Sequence, residues 1–239
     1  DANYFLCGLI VVAGGALFAQ TAPVYKVDPF WPKQLPNKWS MQQIVDIYVD
    51  KNDHIWIINR HTDARPDELG AATNPPRAEC CVKGPEIIEF DQEGNLLRHW
   101  GGPGQGYEWP DSNHGIYADT KGFVWIGGNG GNDGLVLKFT RDGKFVKQFG
   151  KKNVKADSNA TDHFYQVAKL FVDEKNNELW VANFGNHSAT VYDIAADGNI
   201  LRIEHDDGSI TVSLDGQPIE RGPQRAKGGW FANLVDDID

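Results

Sequence analysis

A threefold repeat of strand, turn and tryptophan-bearing strand limits what this chain can fold into. In each copy an apolar run ends at an aspartate, a short polar turn follows, and the next apolar run contains a tryptophan. Polar turns rich in Asp, Asn and Gly between β-branched and aromatic runs are typical of β-hairpins. The copies are residues 44–58, 115–126 and 169–181, with turn aspartates Asp50, Asp119 and Asp173 and tryptophans Trp56, Trp125 and Trp180. The tryptophans are therefore predicted to lie in the core of the fold.

A second hairpin follows each copy and completes a unit of four short strands. Glycine at the turn tip, as at Gly94 and Gly143, supplies the positive φ that a tight reversal needs. Recurring units of this kind predict an all-β fold, an incomplete β-propeller of about three to four four-stranded blades, because closed propellers have roughly 4–8 blades. The insertions at residues 61–84 and 151–162 are expected to form loops, where binding sites tend to lie.

Both ends of the sequence differ from the repeat. Residues 4–19 are an apolar run that is shorter than the ~20 residues of a membrane-spanning helix, and Ala19 precedes a plausible cleavage position. The run predicts an N-terminal signal segment, hence a secreted or periplasmic protein without a stable membrane span after cleavage. The predicted divisions are a signal segment at 1–19, an extended segment at 20–43, propeller blades at 44–204 and an acidic, divergent segment at 205–239.

Charge and cysteine content exclude two classes of protein. The chain has 33 Asp and Glu against 23 Lys and Arg, a formal net charge of −10. Nonspecific nucleic-acid binding needs cations against phosphate, so no nucleic-acid partner is expected. Three cysteines are too few for a disulfide scaffold. The adjacent Cys80 and Cys81 leave three alternatives open: a vicinal disulfide, pairing with other chains, or two separate thiols.

The sequence resembles NHL-type six-bladed propellers, and among them bacterial secreted proteins related to peptidyl-α-hydroxyglycine α-amidating lyase. The resemblance covers roughly residues 24–192. It is strongest in DPFWPK at 28–33, NPPRAECC at 74–81, WGGPGQGYEWP at 100–110 and GGNG at 127–130. It implies a propeller fold and a zinc-dependent lyase that splits a carbinolamide into a peptide amide and glyoxylate.

The resemblance also implies roles for individual residues. His114 precedes Gly115 at a strand start and matches a zinc ligand of the family, whereas the equivalent residues Val45 and Ala168 cannot bind metal. Arg60 ends an apolar run before a loop and matches the catalytic arginine, which would stabilise developing charge. Phe184 lies where the family has its catalytic tyrosine, and phenylalanine cannot carry a proton.

Both of the main candidates have a structural alternative. His114 also fits a hydrogen-bonded residue that faces the channel without metal. Arg60 also fits a loop cation paired with Asp63, Asp67 or Glu68. A single histidine does not make a zinc site.

Three further positions are candidate binding residues. His61 lies at the start of the first insertion, and His163 lies in a family-like segment where it also fits plain packing. Asn129, together with Asn132 and Asp133, offers oxygen ligands for calcium, although no standard acidic calcium loop is present. Zinc and calcium are therefore the two cofactors that the sequence suggests.

Two functions follow from these residues. The first is a secreted propeller scaffold that binds a small ligand or a peptide at its channel mouth, which Phe184 and the single channel histidine favour. The second is a metal-dependent, lyase-like enzyme, which His114 and Arg60 favour and whose activity is expected to be lost in this short form. An incomplete ring has open edges, so the chain is expected to self-associate or to close its sheet with residues 196–215.

Overall fold

The computed structural model describes residues 24–154, 163–195, 198–206, 209–214 and 217–218, with side chains as far as residue 195 except that of His61. The predicted signal segment lies outside these residues, as does much of the acidic C-terminal segment. Among the described residues, no helix is long and apolar enough to cross a bilayer. The chain divides into a short unit that ends at Trp31 and a larger unit that begins at Pro32. In the short unit, the backbone N–H of Phe30 donates to the Asp28 carboxylate over 2.9 Å and closes a turn.

The described part of the larger unit contains three antiparallel sheets and one small parallel pair. The parallel pair joins β1 (Trp39–Ser40) to β4 (Val82–Lys83). Blade 1 contains, in spatial order, β2 (Ile44–Val49), β3 (Ile55–Asn59), β5 (Ile87–Phe90) and β6 (Leu96–Trp100). Blade 2 contains β7 (Asn113–Ala118), β8 (Phe123–Gly128), β9 (Asp133–Thr140) and β10 (Phe145–Lys152). Blade 3 contains β11 (Val167–Asp173), β12 (Glu178–Asn183), β13 (Ser188–Asp193), β14 (Gly198–Asp206), β15 (Ser209–Leu214) and β16 (Gln217–Pro218).

The insertion after β3 is made of short turns. It contains the 3-10 helices His61–Asp63, Pro66–Glu68 and Gly70–Ala72. Beyond them, Cys80 and Cys81 are joined as a vicinal disulfide, which is the first of the three alternatives that the sequence left open. A fourth 3-10 helix, Phe184–Asn186, connects β12 to β13.

The three blades pack face to face around their first strands. β7 contacts β2 on one side and β11 on the other. One apolar core fills the space between blades 1 and 2, and a second core fills the space between blades 2 and 3. Four-stranded antiparallel sheets that stack in this way, each on the next, are blades of a propeller. The predicted all-β, incomplete propeller is therefore confirmed as three consecutive blades.

Each blade has a forward face, defined here as the face that carries its repeat tryptophan. Trp56 lies in the core between blades 1 and 2, and Trp125 lies in the core between blades 2 and 3. The tryptophan is paired across strands with an aromatic residue in all three blades: Tyr48 with Trp56, Tyr117 with Trp125 and Phe171 with Trp180. The prediction that all three tryptophans are core residues is wrong for Trp180, which is only half-buried. Its side chain belongs to the forward face of the last blade, and no described blade covers that face.

The turn aspartates of blades 1 and 2 hold these tryptophans in place. The Trp56 indole N–H donates to Asp50 over 3.0 Å, and the Trp125 indole N–H donates to Asp119 over 2.9 Å. Both aspartates are buried. A buried N–H that lacked this acceptor would cost free energy, so the spacing of six residues between aspartate and tryptophan is a structural requirement.

In blade 3 the turn aspartate does not bind the tryptophan in this way, because the turn is one residue longer. Asp173 accepts hydrogen bonds from the backbone N–H groups of Lys175 and Asn176 instead. The Trp180 indole N–H donates to Glu178 over 3.1 Å. The third repeat therefore keeps the position of its tryptophan but replaces the residue that anchors it.

The segment after β13 enlarges blade 3 outward. β14 pairs with β13 and supplies the fourth strand, and it crosses the predicted boundary at residue 204. β15 then pairs with β14, which confirms a hairpin in this part of the chain. The described part of residues 196–215 does not close the sheet as expected, because its strands pair in sequence with blade 3.

Candidate functional site

His114 lies near the start of β7, half-buried at the inner side of blade 2. Its Nδ1 is 2.6 Å from the carbonyl oxygen of Ala168 in blade 3. A carbonyl oxygen can only accept, so Nδ1 carries the proton and Nε2 of the neutral ring keeps its lone pair. Burial lowers the pKa of His114, the hydrogen bond to Ala168 opposes this, and the Arg60 cation adds to the lowering. The lowered pKa favours the neutral imidazole, in which Nε2 is the acceptor.

Arg60 bridges blade 1 to blade 2. Its Nε and Nη2 lie 3.3 and 3.1 Å from the carbonyl oxygen of Asn113, and Nη2 donates to the Asn129 amide oxygen over 3.0 Å. Asp63 lies 3.5 Å from Nη1, and the other two acids considered as alternatives pair with Arg65 instead. The Arg60 side chain is only 12% exposed. Most of its donors are therefore committed to the protein, beside the strand that carries His114.

The loop predicted to offer calcium ligands is closed by its own hydrogen bonds. Asp133 accepts from the backbone N–H groups of Asp111, Ser112 and Gly130 at 2.8–2.9 Å. The amide oxygen of Asn129 accepts a hydrogen bond from the Ser112 hydroxyl as well as from the Arg60 guanidinium. These oxygens are oriented towards N–H and O–H donors. Calcium binding there stays a prediction that this geometry does not favour.

A buried polar network supports the strand that carries His114. Glu86 accepts hydrogen bonds from the indole N–H of Trp109 and, over 2.8 Å, from the amide N–H of Asn113. Asn113 is 3% exposed, and its amide oxygen is buried with no hydrogen-bond partner in the described part of the chain. Sequence reasoning missed this network because Glu86 lies outside the repeated pattern.

An ion pair connects the first strands of blades 1 and 3. The Lys169 ammonium lies 2.6 Å from Asp46, whose carboxylate also accepts the backbone N–H of Ile116 over 2.8 Å. The contact therefore spans the blade between them. A positional signal existed in the sequence, since each residue lies four positions before a turn aspartate, Asp50 or Asp173.

A pocket of about 430 Å³ lies where β11 begins and β12 ends. Its lining is mostly apolar, and Phe184 at its rim is 64% exposed. The amide nitrogen of Asn186, in the 3-10 helix beside it, is a buried donor without a partner among the described residues. The lining residues are Ala168, Ala182, Asn183, Phe184, His187, Ser188 and Ala189.

The structure brings four of the six predicted site residues into one connected region. Arg60 contacts Asn129, and it also contacts the residue before His114. His114 contacts Ala168, which lines the pocket together with Phe184. The other two, His61 and His163, are not among the lining residues. His61 begins a 3-10 helix and its side chain lies outside the described part, while His163 is half-buried next to the fully buried Phe164.

The described residues contain one group with metal-ligand spacing, formed by Asp50, His54 and Glu89. Arginines already occupy it: Arg141 contacts both acids, and Arg98 lies 2.7 Å from Glu89. Burial acts to raise the pKa of Asp50, but hydrogen bonds from the Trp56 indole and from Arg141 hold it below its ordinary value. The group is a buried ion-pair network. His114 is not part of it, so among the described residues His114 lacks the further ligands that zinc requires.

Comparisons with known proteins add little to this geometry. No protein-family model matches the sequence, and no curated protein matches it. Among solved structures, streptogramin B lyase aligns over 70% of this chain and 47% of its own, with 14% identity and a TM-score of 0.36. The extracellular domain of a hybrid two-component system from B. thetaiotaomicron aligns over 72% of this chain and 26% of its own, with 15% identity and a TM-score of 0.23. The chain thus spans less than half of either structure, and the blade assignment stands on its own sheets.

Proposed function

We propose that the protein is a secreted propeller scaffold that binds a small ligand or a peptide side chain in the pocket beside Phe184. The observation that carries this proposal is an apolar pocket with an aromatic ring at its rim. Ligand pockets in proteins are concave, mostly apolar and commonly about 300–1,000 Å³. An exposed phenylalanine costs free energy in water unless something covers it, and a planar ligand would do so.

The polar groups near the pocket indicate the chemistry of the ligand. The amide nitrogen of Asn186, which has no partner among the described residues, is a donor that suits a carbonyl or carboxylate oxygen. A ligand with an aromatic or aliphatic body and one anionic or carbonyl end fits these groups.

Binding of anilinonaphthalene sulfonate tests this proposal, because that probe combines an aromatic body with an anionic end. Fluorescence titration of the full chain should give saturable binding. Phe184→Ser should weaken it about tenfold, which corresponds to about 1.4 kcal/mol. Val146→Ser is the control, since Val146 is an exposed apolar residue on β10, outside the pocket lining.

The two variants separate the pocket from general apolar binding. Equal affinity loss in both variants, or no loss in Phe184→Ser, would refute the pocket as the binding site. Far-UV circular dichroism of each variant must match that of the wild type, because partly unfolded proteins also bind this probe.

A second candidate, metal-dependent lyase-like activity, is favoured by one observation: Nδ1 of His114 donates to the carbonyl oxygen of Ala168, which leaves Nε2 as the ring nitrogen that can act as a ligand. Metal-binding histidines commonly donate their other ring N–H to a carbonyl or carboxylate. A zinc site at His114 would need ligands from beyond the described residues, and Phe184 supplies no acid or base. We therefore place this function second to ligand binding.

Metal analysis of the purified chain tests the second candidate. About one zinc per chain, lost in His114→Ala, would support it and would justify an assay for glyoxylate release from an α-hydroxyglycine peptide. Zinc that is absent, or that stays bound in His114→Ala, would overturn it. Neither result bears on probe binding at Phe184.

A further inference from the structure

The forward face of blade 3 carries an aromatic residue at the position that joins the other blades to one another, but no described blade covers this face. Tyr48 of blade 1 packs against Tyr117 of blade 2 with ring centroids 4.6 Å apart, and Tyr117 packs against Phe171 of blade 3 at 5.3 Å. These aromatic residues each lie two positions before the turn aspartate. Phe171 is 51% exposed, and Trp180 beside it is half-buried. The aromatic row thus ends on a partly exposed surface, whereas the equivalent surfaces of blades 1 and 2 are each covered by the next blade.

The backward face of blade 1, opposite its tryptophan, is open at the first strand. Ile47 is 53% exposed and Val49 is 54% exposed. The equivalent residues of blade 2, Ile116 and Ala118, are buried in the core against blade 1. On the backward face of blade 1, residues beyond the first strand are buried within the chain, as Ile88 on β5 shows. The uncovered part is therefore the same first-strand region that is open on blade 3.

We propose that these two end faces pack against each other between two copies of the chain, so that two copies form one closed ring of six blades. The forward face of blade 3 in one copy meets the backward face of blade 1 in the other, and the same contact recurs on the opposite side. A head-to-tail contact that closes after two copies leaves no end face exposed. Six blades lie within the range of about 4–8 that closed propellers have.

The charges at the two end faces complement each other in this arrangement. One position after the turn aspartates, Lys51 contacts Thr120, and Thr120 contacts Glu174, at 2.9 and 2.6 Å. If the contact between these positions of neighbouring blades repeats at the junction, Glu174 of one copy lies near Lys51 of the other. The junction therefore brings opposite charges together at this position, which favours this register.

The proposed contact is separate from the proposed ligand pocket. It uses Phe171 and Trp180, near the turn between β11 and β12, whereas the pocket lies at the other end of these strands around Phe184. The two proposals can therefore fail independently. Replacement of Phe171 tests the ring, and replacement of Phe184 tests the pocket.

Sedimentation velocity of the full chain tests the ring. The expected mass is about 53 kDa, twice the 26.6 kDa of one chain, with no larger species as concentration rises. Phe171→Asp and Val49→Asp should each shift the mass to that of one chain, because each charge would be buried at a junction. Val146→Asp is the control, since Val146 is 44% exposed on β10, away from both end faces.

Mixing the two single variants distinguishes a head-to-tail contact from a contact between identical faces. Phe171→Asp retains an intact blade 1 face, and Val49→Asp retains an intact blade 3 face. Their mixture should recover a two-chain species through one intact junction. The closed ring would be overturned by a wild type that has the mass of one chain or a mass that keeps rising with concentration. It would also be overturned by a mixture that has the mass of one chain, or by equal disruption in Val146→Asp.

Discussion

Replacing Asp119 by alanine should destabilise the protein far more than the same change at Asp173. The Asp119 carboxylate accepts the backbone N–H of Phe123 over 2.7 Å and the buried indole N–H of Trp125 over 2.9 Å. Hydrogen bonds to charged groups contribute about 1.5–3 kcal/mol each, so their joint loss should cost about 3–6 kcal/mol. At Asp173 the tryptophan is anchored elsewhere and the carboxylate bonds are exposed, so the loss should be about 1 kcal/mol or less.

Urea unfolding followed by far-UV circular dichroism measures this difference. The midpoint should fall strongly in Asp119→Ala and little in Asp173→Ala, with the slope unchanged. The pair Asp119→Ala and Trp125→Phe should show a coupling of about 1.5–3 kcal/mol in a double-mutant cycle, because both remove the same bond. Equal destabilisation at the two aspartates, or no coupling between Asp119 and Trp125, would refute the aspartate–tryptophan hydrogen bond as the source of this stability.

Two other predictions concern acid stability and backbone packing. Because the pKa of Asp50 is held below its ordinary value of 3.8, its contribution to stability is complete above about pH 4 and is lost as the pH falls through its lowered folded value. Acid titration of the unfolding midpoint should therefore be flatter in Asp50→Asn, and an unchanged profile would contradict this assignment. Gly134→Ala should lower stability by about 2–4 kcal/mol in the same urea assay, since its Cβ would lie 2.5 Å from the backbone oxygen of Phe164. Gly131→Ala, whose Cβ would meet nothing within 4 Å, should be near neutral, and similar losses in both would be inconsistent with a steric cause.

The repeat made the blades predictable, because strand period and turn chemistry are local properties. The aspartate and tryptophan positions located the first two strands of every blade, and a hairpin after Leu201 followed from the same reasoning. The half-burial of Trp180 did not follow, because burial depends on which surface lies opposite a residue. The third turn is longer by one residue, which was visible in the sequence. Its effect on the hydrogen bond of the Trp180 indole depends on the three-dimensional structure of the turn.

The candidate site was only partly predictable. His114 and Arg60 came from family resemblance, and their contacts with Ala168 and Asn113 depend on how neighbouring blades meet. The pocket beside Phe184 lies at the open end of the β11–β12 hairpin, and the pattern that predicts the hairpin does not specify a pocket there. The vicinal disulfide was one of three alternatives, since adjacency in sequence does not determine oxidation state.

The packing of the first strands has a consequence for how the fold comes apart. Among the described residues of one chain, blade 2 shares an apolar core with each of its neighbours, whereas blades 1 and 3 each share one core. In a stack where contacts are limited to adjacent units, stability is approximately a sum of unit and nearest-neighbour terms. In a single chain that is not closed into a ring, local opening is therefore expected to begin at the two outer blades, and amide protons of the middle blade are expected to exchange last.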